Sequence, residues 1–127
     1  MIYLCNGKSE SMKRDPYMKD IPYPLTEAEF IKLIHDSNFK SCIGHESLAN
    51  CLSKITGKEI RYNRTSVSVS YEDVILLVSL NGRLPEHPDF VEYQGRLNYS
   101  LIRFEKQNQI DIENSANKFK QLLMEEI

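Results

Sequence analysis

The sequence is poorest in the features that would put it in a membrane, outside a cell or on long nucleic acid. No apolar run approaches the roughly 18 residues that a membrane-spanning helix needs, and the opening Met1-Ile2-Tyr3-Leu4 is too short for the apolar part of a secretory signal. Positive charge is not in excess: 16 Lys+Arg stand against 18 Asp+Glu, a formal charge of −2. No global field therefore gathers polyanions, although a local basic pocket stays open. Only three cysteines occur, Cys5, Cys42 and Cys51. An odd number in apolar surroundings fits reduced, buried thiols better than a disulfide scaffold, and their spacing suggests no metal site. Internal repeats and low-complexity tracts are absent. What remains is a soluble, cytoplasmic protein whose 127 residues, 41% of them hydrophobic, suffice for one domain over residues 1–127 with a modest core.

Hydrophobic periodicity supplies the elements. Ile2-Tyr3-Leu4-Cys5 is a β-prone run ended by Asn6-Gly7, a strand followed by a turn. Residues 8–24, with Pro16, Pro22 and Pro24, read as a long loop able to fold over a neighbouring site. Thr26-Glu27-Ala28-Glu29 has the form of a capping box, and Phe30, Ile31, Leu33 and Ile34 give the following helix a buried stripe ending near Asp36-Ser37-Asn38. Phe39, Cys42 and Ile43 form a buried strand, and Leu48, Cys51, Leu52 and Ile55 mark a second helix closed by Gly57. Alternation over Thr65–Ser70 and the apolar run Val74–Val78 predict two strands joined by a hairpin turn at Tyr71-Glu72-Asp73. Arg83-Leu84-Pro85-Glu86-His87-Pro88 is a charged loop, because two prolines lack amide donors. Asn98–Phe104 alternates as the last strand, and residues from Ile112, with Ala116, Phe119, Leu122 and Leu123, predict an added C-terminal helix. The expected fold class is α/β: one domain with a mixed β-sheet of about five strands flanked by helices.

Chemistry concentrates at Ser41-Cys42-Ile43-Gly44-His45-Glu46-Ser47, where a strand turns into a helix. First-turn amides carry partial positive charge, so Gly44, which lets backbone approach closely, and the adjacent His45 can hold a phosphate beside a proton donor. A histidine at a helix start also serves simply to cap or pack. Asn6, at a strand end, suits either an ordinary turn or the positioning of a ribose or phosphate. Arg61, Asn63 and Arg64 cluster as phosphate-compatible donors, and Arg83 with Glu86 makes either a surface ion pair or an arginine oriented by its carboxylate.

Taken together, Tyr3-Leu4-Cys5-Asn6, Cys42-Ile43-Gly44-His45-Glu46-Ser47, Asn63-Arg64 and Arg83-Leu84-Pro85-Glu86 resemble, in order and spacing, the small viral and prophage proteins known as type III anti-CRISPR ring nucleases. The resemblance spans roughly Met1 to Lys106. It implies a homodimer that binds cyclic tetra-adenylate across its two-fold and cuts it without metal or cofactor. It makes His45 the general acid, with Arg83 and Glu86 as catalytic companions, and Asn6, Gly44 and Arg64 as ligand-binding positions. The chain departs from that pattern in its long proline-bearing loop after the first strand, its shortened segment after Glu86 and its added terminal helix. The alternatives are a non-catalytic nucleic-acid-binding or regulatory protein and a cyclic-oligonucleotide sponge. The acidic balance and the lack of a groove-reading motif weigh against long nucleic acid as the partner.

Overall fold

The computed structural model describes residues 1–7, 15–82 and 90–106, together with the backbone of 12–13. The elements run β1 (Ile2–Asn6), β2 (Met12–Lys13), β3 (Met18–Leu25), α1 (Glu27–Asp36), β4 (Phe39–Cys42), α2 (Glu46–Thr56), β5 (Val67–Ser68), β6 (Val74–Leu80), α3 (Phe90–Tyr93) and β7 (Leu97–Lys106). Five strands make a mixed sheet in the order β3-β7-β6-β1-β4. β1 lies parallel to both β4 and β6, with Cys5 opposite Cys42 on one side and Leu77 on the other. β7 is antiparallel to β6 and to β3. The expected α/β fold with a five-stranded mixed sheet is what forms.

Alternation along the strands sends side chains to two faces, and both are buried. On one face Leu4, Leu76, Val78 and Tyr99 pack against Phe30 and Ile34 of α1 and Leu48 and Leu52 of α2. The rings of Phe30 and Tyr99 stack with centroids 4.3 Å apart. Each large aliphatic or aromatic side chain buried this way stabilises the fold by about 1.5–3 kcal/mol. On the other face Cys5, Cys42, Ile75, Ile102 and Phe104 gather with Met18, Val67 and Val69.

The helix boundaries follow from local chemistry. Thr26 accepts the amide of Glu29 at 3.2 Å while the Glu29 carboxylate accepts the amide of Thr26 at 3.0 Å, the reciprocal capping box expected from the sequence. α2 ends where Gly57 takes a left-handed conformation, φ 70°, and its amide donates back to the Ser53 carbonyl. The two helix ends are tied together: the His35 ring bonds the Thr56 carbonyl at 2.5 Å, and Lys58 Nζ donates to the Ile34 carbonyl at 3.1 Å.

Two expectations are corrected. The supposed loop up to Pro24 contains most of the eight-residue strand β3, which among the described residues pairs with β7 alone. Pro22 and Pro24, two apart, occupy one side of the strand, and an edge strand has a side where a missing N–H breaks no ladder bond. The hairpin at Tyr71-Glu72-Asp73 does not form. β5 instead pairs in parallel with β2 in a separate two-stranded sheet, and β6 lies between β1 and β7. Both sides of β6 are taken, by β1 and β7, which leaves β5 no place beside it; the turn itself still closes, the Asp73 carboxylate accepting the Ser70 amide at 2.8 Å and hydroxyl at 3.1 Å while its own amide donates to the Ser70 carbonyl at 3.0 Å. This closed turn redirects the chain before β6 begins, and Val67 and Val69 are buried on the sheet's second face. The short helix α3 was not foreseen. The charged loop at 83–88 and the C-terminal helix from Ile112 lie outside the described residues.

Candidate functional site

Parallel pairing puts the carboxyl ends of β1, β4 and β6 at one end of the sheet, the place where open α/β sheets present ligand-binding groups. β1 ends in Asn6, and Gly7, with φ 78°, turns the chain away. β4 ends at Cys42, after which Ile43 and Gly44 lead into α2. The two ends are joined directly: the Gly44 amide donates to Asn6 Oδ1 at 2.8 Å. Asn6 is thus both the residue before a glycine turn and a positioning group, and its side chain holds the backbone at the start of α2.

Arg64 reaches the same place through a docked segment. The Asn63 amide donates to the Ile43 carbonyl at 2.9 Å and its side-chain amide to the Ser41 carbonyl at 2.8 Å. Ser41 Oγ donates to the Arg61 carbonyl at 2.6 Å, and Tyr62 bridges Ile43 like a short extra strand. A methyl group on Gly44 would lie 3.5 Å from Arg64 Cγ and 3.7 Å from Asn6 Oδ1, so Gly44 is flanked by both. Arg61, by contrast, lies near Glu59 at 3.6 Å on the exposed surface, and Asn63 spends its side chain on the frame rather than on a ligand.

His45 is the N-cap residue of α2, with extended backbone, and its carbonyl accepts the Ala49 amide at 3.0 Å. Its side chain makes no capping hydrogen bond and is exposed. The capping role open to a histidine at this position is therefore not the one it plays, and the imidazole stands at the positive end of an eleven-residue helix. Ser47, one residue into the helix beyond Glu46, bonds the Tyr93 hydroxyl at 2.9 Å and so ties the first turn of α2 to α3.

The structure thus brings together Asn6, Gly44, His45 and Arg64. Arg83 and Glu86 lie outside the described residues. Sequence reading gave no role to Ser41, the clamp that holds the arginine-bearing segment, and passed over Tyr93; each acts on a residue about 20 or more positions away, where local pattern carries no signal. Of the residues brought together, His45 and Arg64 are exposed and Asn6 and Gly44 half-buried. A cavity of about 470 Å³ between α2, α3 and β7, lined by Glu27, Lys54, Phe90, Tyr93 and Tyr99 among others, contains none of the site's residues. Among the described residues no three His, Cys, Asp or Glu side chains are grouped to hold a metal ion, and no helix is long and apolar enough to cross a membrane.

Beneath the Asn6–Gly44 bond lie Cys5 and Cys42, both buried. Burial, reinforced by the neighbouring thiol, pushes Cys5 up to about 12, and burial likewise raises Cys42.

A profile of the family described as STIV B116-like matches residues 2–90. The chain belongs to this family. Residues of Uncharacterized protein ORF117 of Acidianus two-tailed virus are 40% identical over 60 positions, a match covering 47% of this chain and 51% of that protein. Uncharacterized protein 26 of Sulfolobus islandicus filamentous virus is 29% identical over 107 positions, covering 83% of this chain and 91% of its own length. The solved structure of B116 of Sulfolobus turreted icosahedral virus superimposes with a TM-score of 0.65 at 23% identity, over 80% of this chain and 97% of that one. The B116-like match ends near the start of α3, so it encloses the whole Asn6–Gly44–His45–Arg64 group. The comparisons thus place the chain in a family of viral proteins.

Proposed function

We propose that this B116-like protein is a metal-independent ring nuclease that cleaves cyclic tetra-adenylate to linear adenylates ending in 2′,3′-cyclic phosphates, and so shuts off type III CRISPR signalling. The observation that carries the reading is the uncapped, exposed His45 at the α2 N-terminus, one residue from a glycine flanked by Asn6 and Arg64. These are the groups that a phosphodiester cut by its own ribose needs: a charge-complementary surface and a proton donor.

In RNA-like phosphodiesters the 2′-hydroxyl is already tethered to the phosphorus, so alignment supplies much of the rate. The 2′-hydroxyl gives up its proton to solvent as its oxygen attacks, the bond from phosphorus to the 5′-oxygen breaks, and the departing oxygen takes a proton from the His45 imidazolium. Arg64 and the first-turn amides of α2 offset the charge that grows on the phosphoryl oxygens, and Arg83 is assigned to the same task with Glu86 orienting it. Exposed His45 and Arg64 side chains fit a ring that a 127-residue domain cannot enclose alone. Two copies related by a two-fold would set two His45 side chains at opposite phosphates of a four-fold ring and cut it into halves.

The test is incubation of the purified full chain with cyclic tetra-adenylate in EDTA, with products resolved by mass. Linear di-adenylates with cyclic phosphate ends are expected. Tight binding without products would make the protein a sponge, and absence of both binding and cleavage would sink the reading.

A further inference from the structure

Cys5 and Cys42 are register partners on neighbouring parallel strands and belong to the same face of the sheet. Both are free, buried thiols. Neighbouring strands lie about 4.8 Å apart, and disulfides accept Cα separations of roughly 4.4–6.8 Å, so the two sulfurs can be joined with small strand adjustments. Cys51 cannot compete. It lies on α2, in the core cluster on the opposite face of the sheet. The pair is placed where a bond would matter: Cys5 directly precedes Asn6, and Cys42 lies two residues before Gly44, so the thiols sit one step below the 2.8 Å bond that joins the two strand ends.

We propose that Cys5 and Cys42 form a reversible redox pair whose disulfide staples β1 to β4 beneath the Asn6–Gly44 contact, giving the chain a dithiol and a disulfide form. The inference stands apart from the ring-nuclease reading, since it concerns the covalent state of the fold and not what the site cuts. β4 is a four-residue strand at the end of the described sheet, its outer side held by the docked segment 61–63, so Cys42 is reached when that segment and β4 open together. The Cys42 thiolate attacks one sulfur of a small-molecule disulfide and releases a thiolate. Cys5 thiolate then attacks Cys42 Sγ and expels the second thiolate. The two cysteines lose two electrons and two protons, and the disulfide reagent is reduced to two thiols. The high proton affinity that burial gives both groups makes exchange slow near neutral pH and faster in alkali.

The experiment equilibrates the full chain in reduced and oxidised dithiothreitol at a series of ratios, quenches with acid, alkylates under denaturing conditions and maps the peptides by mass. The expected result is a loss of two hydrogens at the oxidising end, a Cys5–Cys42 linked peptide and an alkylated Cys51, all reversed by excess reduced dithiothreitol. The oxidised monomer should melt higher, by an amount on the order of 5–15 °C, because the link constrains the unfolded chain across residues 5–42. Three alkylated thiols at every ratio, or a link that uses Cys51 or joins two chains, would overturn the pairing. An oxidised form that melts at or below the reduced one would overturn the staple. These outcomes need no substitution, so misfolding of a variant cannot obscure them.

Discussion

Asn6 Oδ1 accepts the Gly44 amide at 2.8 Å, a side-chain bond that crosses from the end of one parallel strand to the end of its neighbour. Through it the turn after β1 and the start of α2 become one rigid unit, and His45, the next residue, inherits its position from Asn6. A residue singled out as a ligand contact is therefore also part of the scaffold, which divides the expected effects of its substitutions.

Asn6→Ala removes the acceptor and leaves the half-buried Gly44 amide unpaired, at a cost of about 1 kcal/mol and several degrees in Tm. Asn6→Asp keeps an acceptor of the same shape, so its Tm should stay within about 3 °C of the native protein. Its carboxylate would face the phosphates of the proposed ligand, and affinity for cyclic tetra-adenylate should fall about tenfold or more. A titration in which the Asp variant binds as tightly as the native chain would confine Asn6 to the scaffold.

Gly44→Ala separates backbone geometry from approach. Gly44 is not among the glycines with positive φ, and the added methyl would meet its nearest neighbours at 3.5 and 3.7 Å, ordinary contact distances. The variant should fold with a Tm near that of the native protein. The methyl occupies the space between Arg64 and Asn6, so ligand affinity should drop by about tenfold. Loss of folding would show that the glycine serves the backbone, and undiminished binding would place the ligand elsewhere.

The contrast between Thr26 and Pro22 shows how far the sequence could be read. Thr26 and Glu29 act on each other three residues apart, and Gly57 acts on its own helix, so caps, helices and core stripes were legible. Pro22 and Pro24 argue against a strand only if both sides carry ladder bonds, and which strand lies at an edge is a property of the assembled sheet. Val67 and Val69 likewise announced an apolar face without naming its partner, and the hairpin expectation failed because β6 is paired on both sides by β1 and β7 while β5 pairs with β2. The site shows the same division. His45 and Gly44 were singled out from their local pattern, and Arg64 from its cluster, whereas Ser41, which holds the segment 61–63, works across a distance that local pattern does not encode.

Asp73 gives the fold a measurable acid limit. Burial alone would push its carboxyl up, but the amide and hydroxyl of Ser70 and the Met1 ammonium, 3.2 Å away, together hold it below the ordinary carboxylate range. A depressed folded value means that ionised Asp73 stabilises the protein above the unfolded value near 4, and that this contribution fades as pH falls through the folded value. Asp73→Asn should therefore lose about 1–2 kcal/mol at pH 7, with the gap to the native protein narrowing below about pH 4. Denaturant melts at pH 7, 5, 4 and 3 check this. A gap that stays constant down to pH 3 would show that the carboxylate's charge is not what the turn uses.

His45→Ala addresses the chemistry, and the geometry makes it a clean variant. The imidazole is exposed and makes no capping hydrogen bond, and the Ala49 amide bonds the backbone carbonyl of residue 45, which alanine retains. Folding should hence be preserved, with at most a small change in Tm. If the imidazolium protonates the 5′-oxygen as it leaves, its removal should slow single-turnover cleavage of cyclic tetra-adenylate by about 10²–10⁴-fold in EDTA. Arg64, Asn6 and the helix amides remain, so binding should weaken far less than cleavage. The variant would then hold the ring intact, and a direct titration beside the rate measurement distinguishes the two losses. Equal losses in binding and rate would recast His45 as a ligand contact. An unchanged rate in a folded variant would remove it from the mechanism and leave the proton to come from elsewhere.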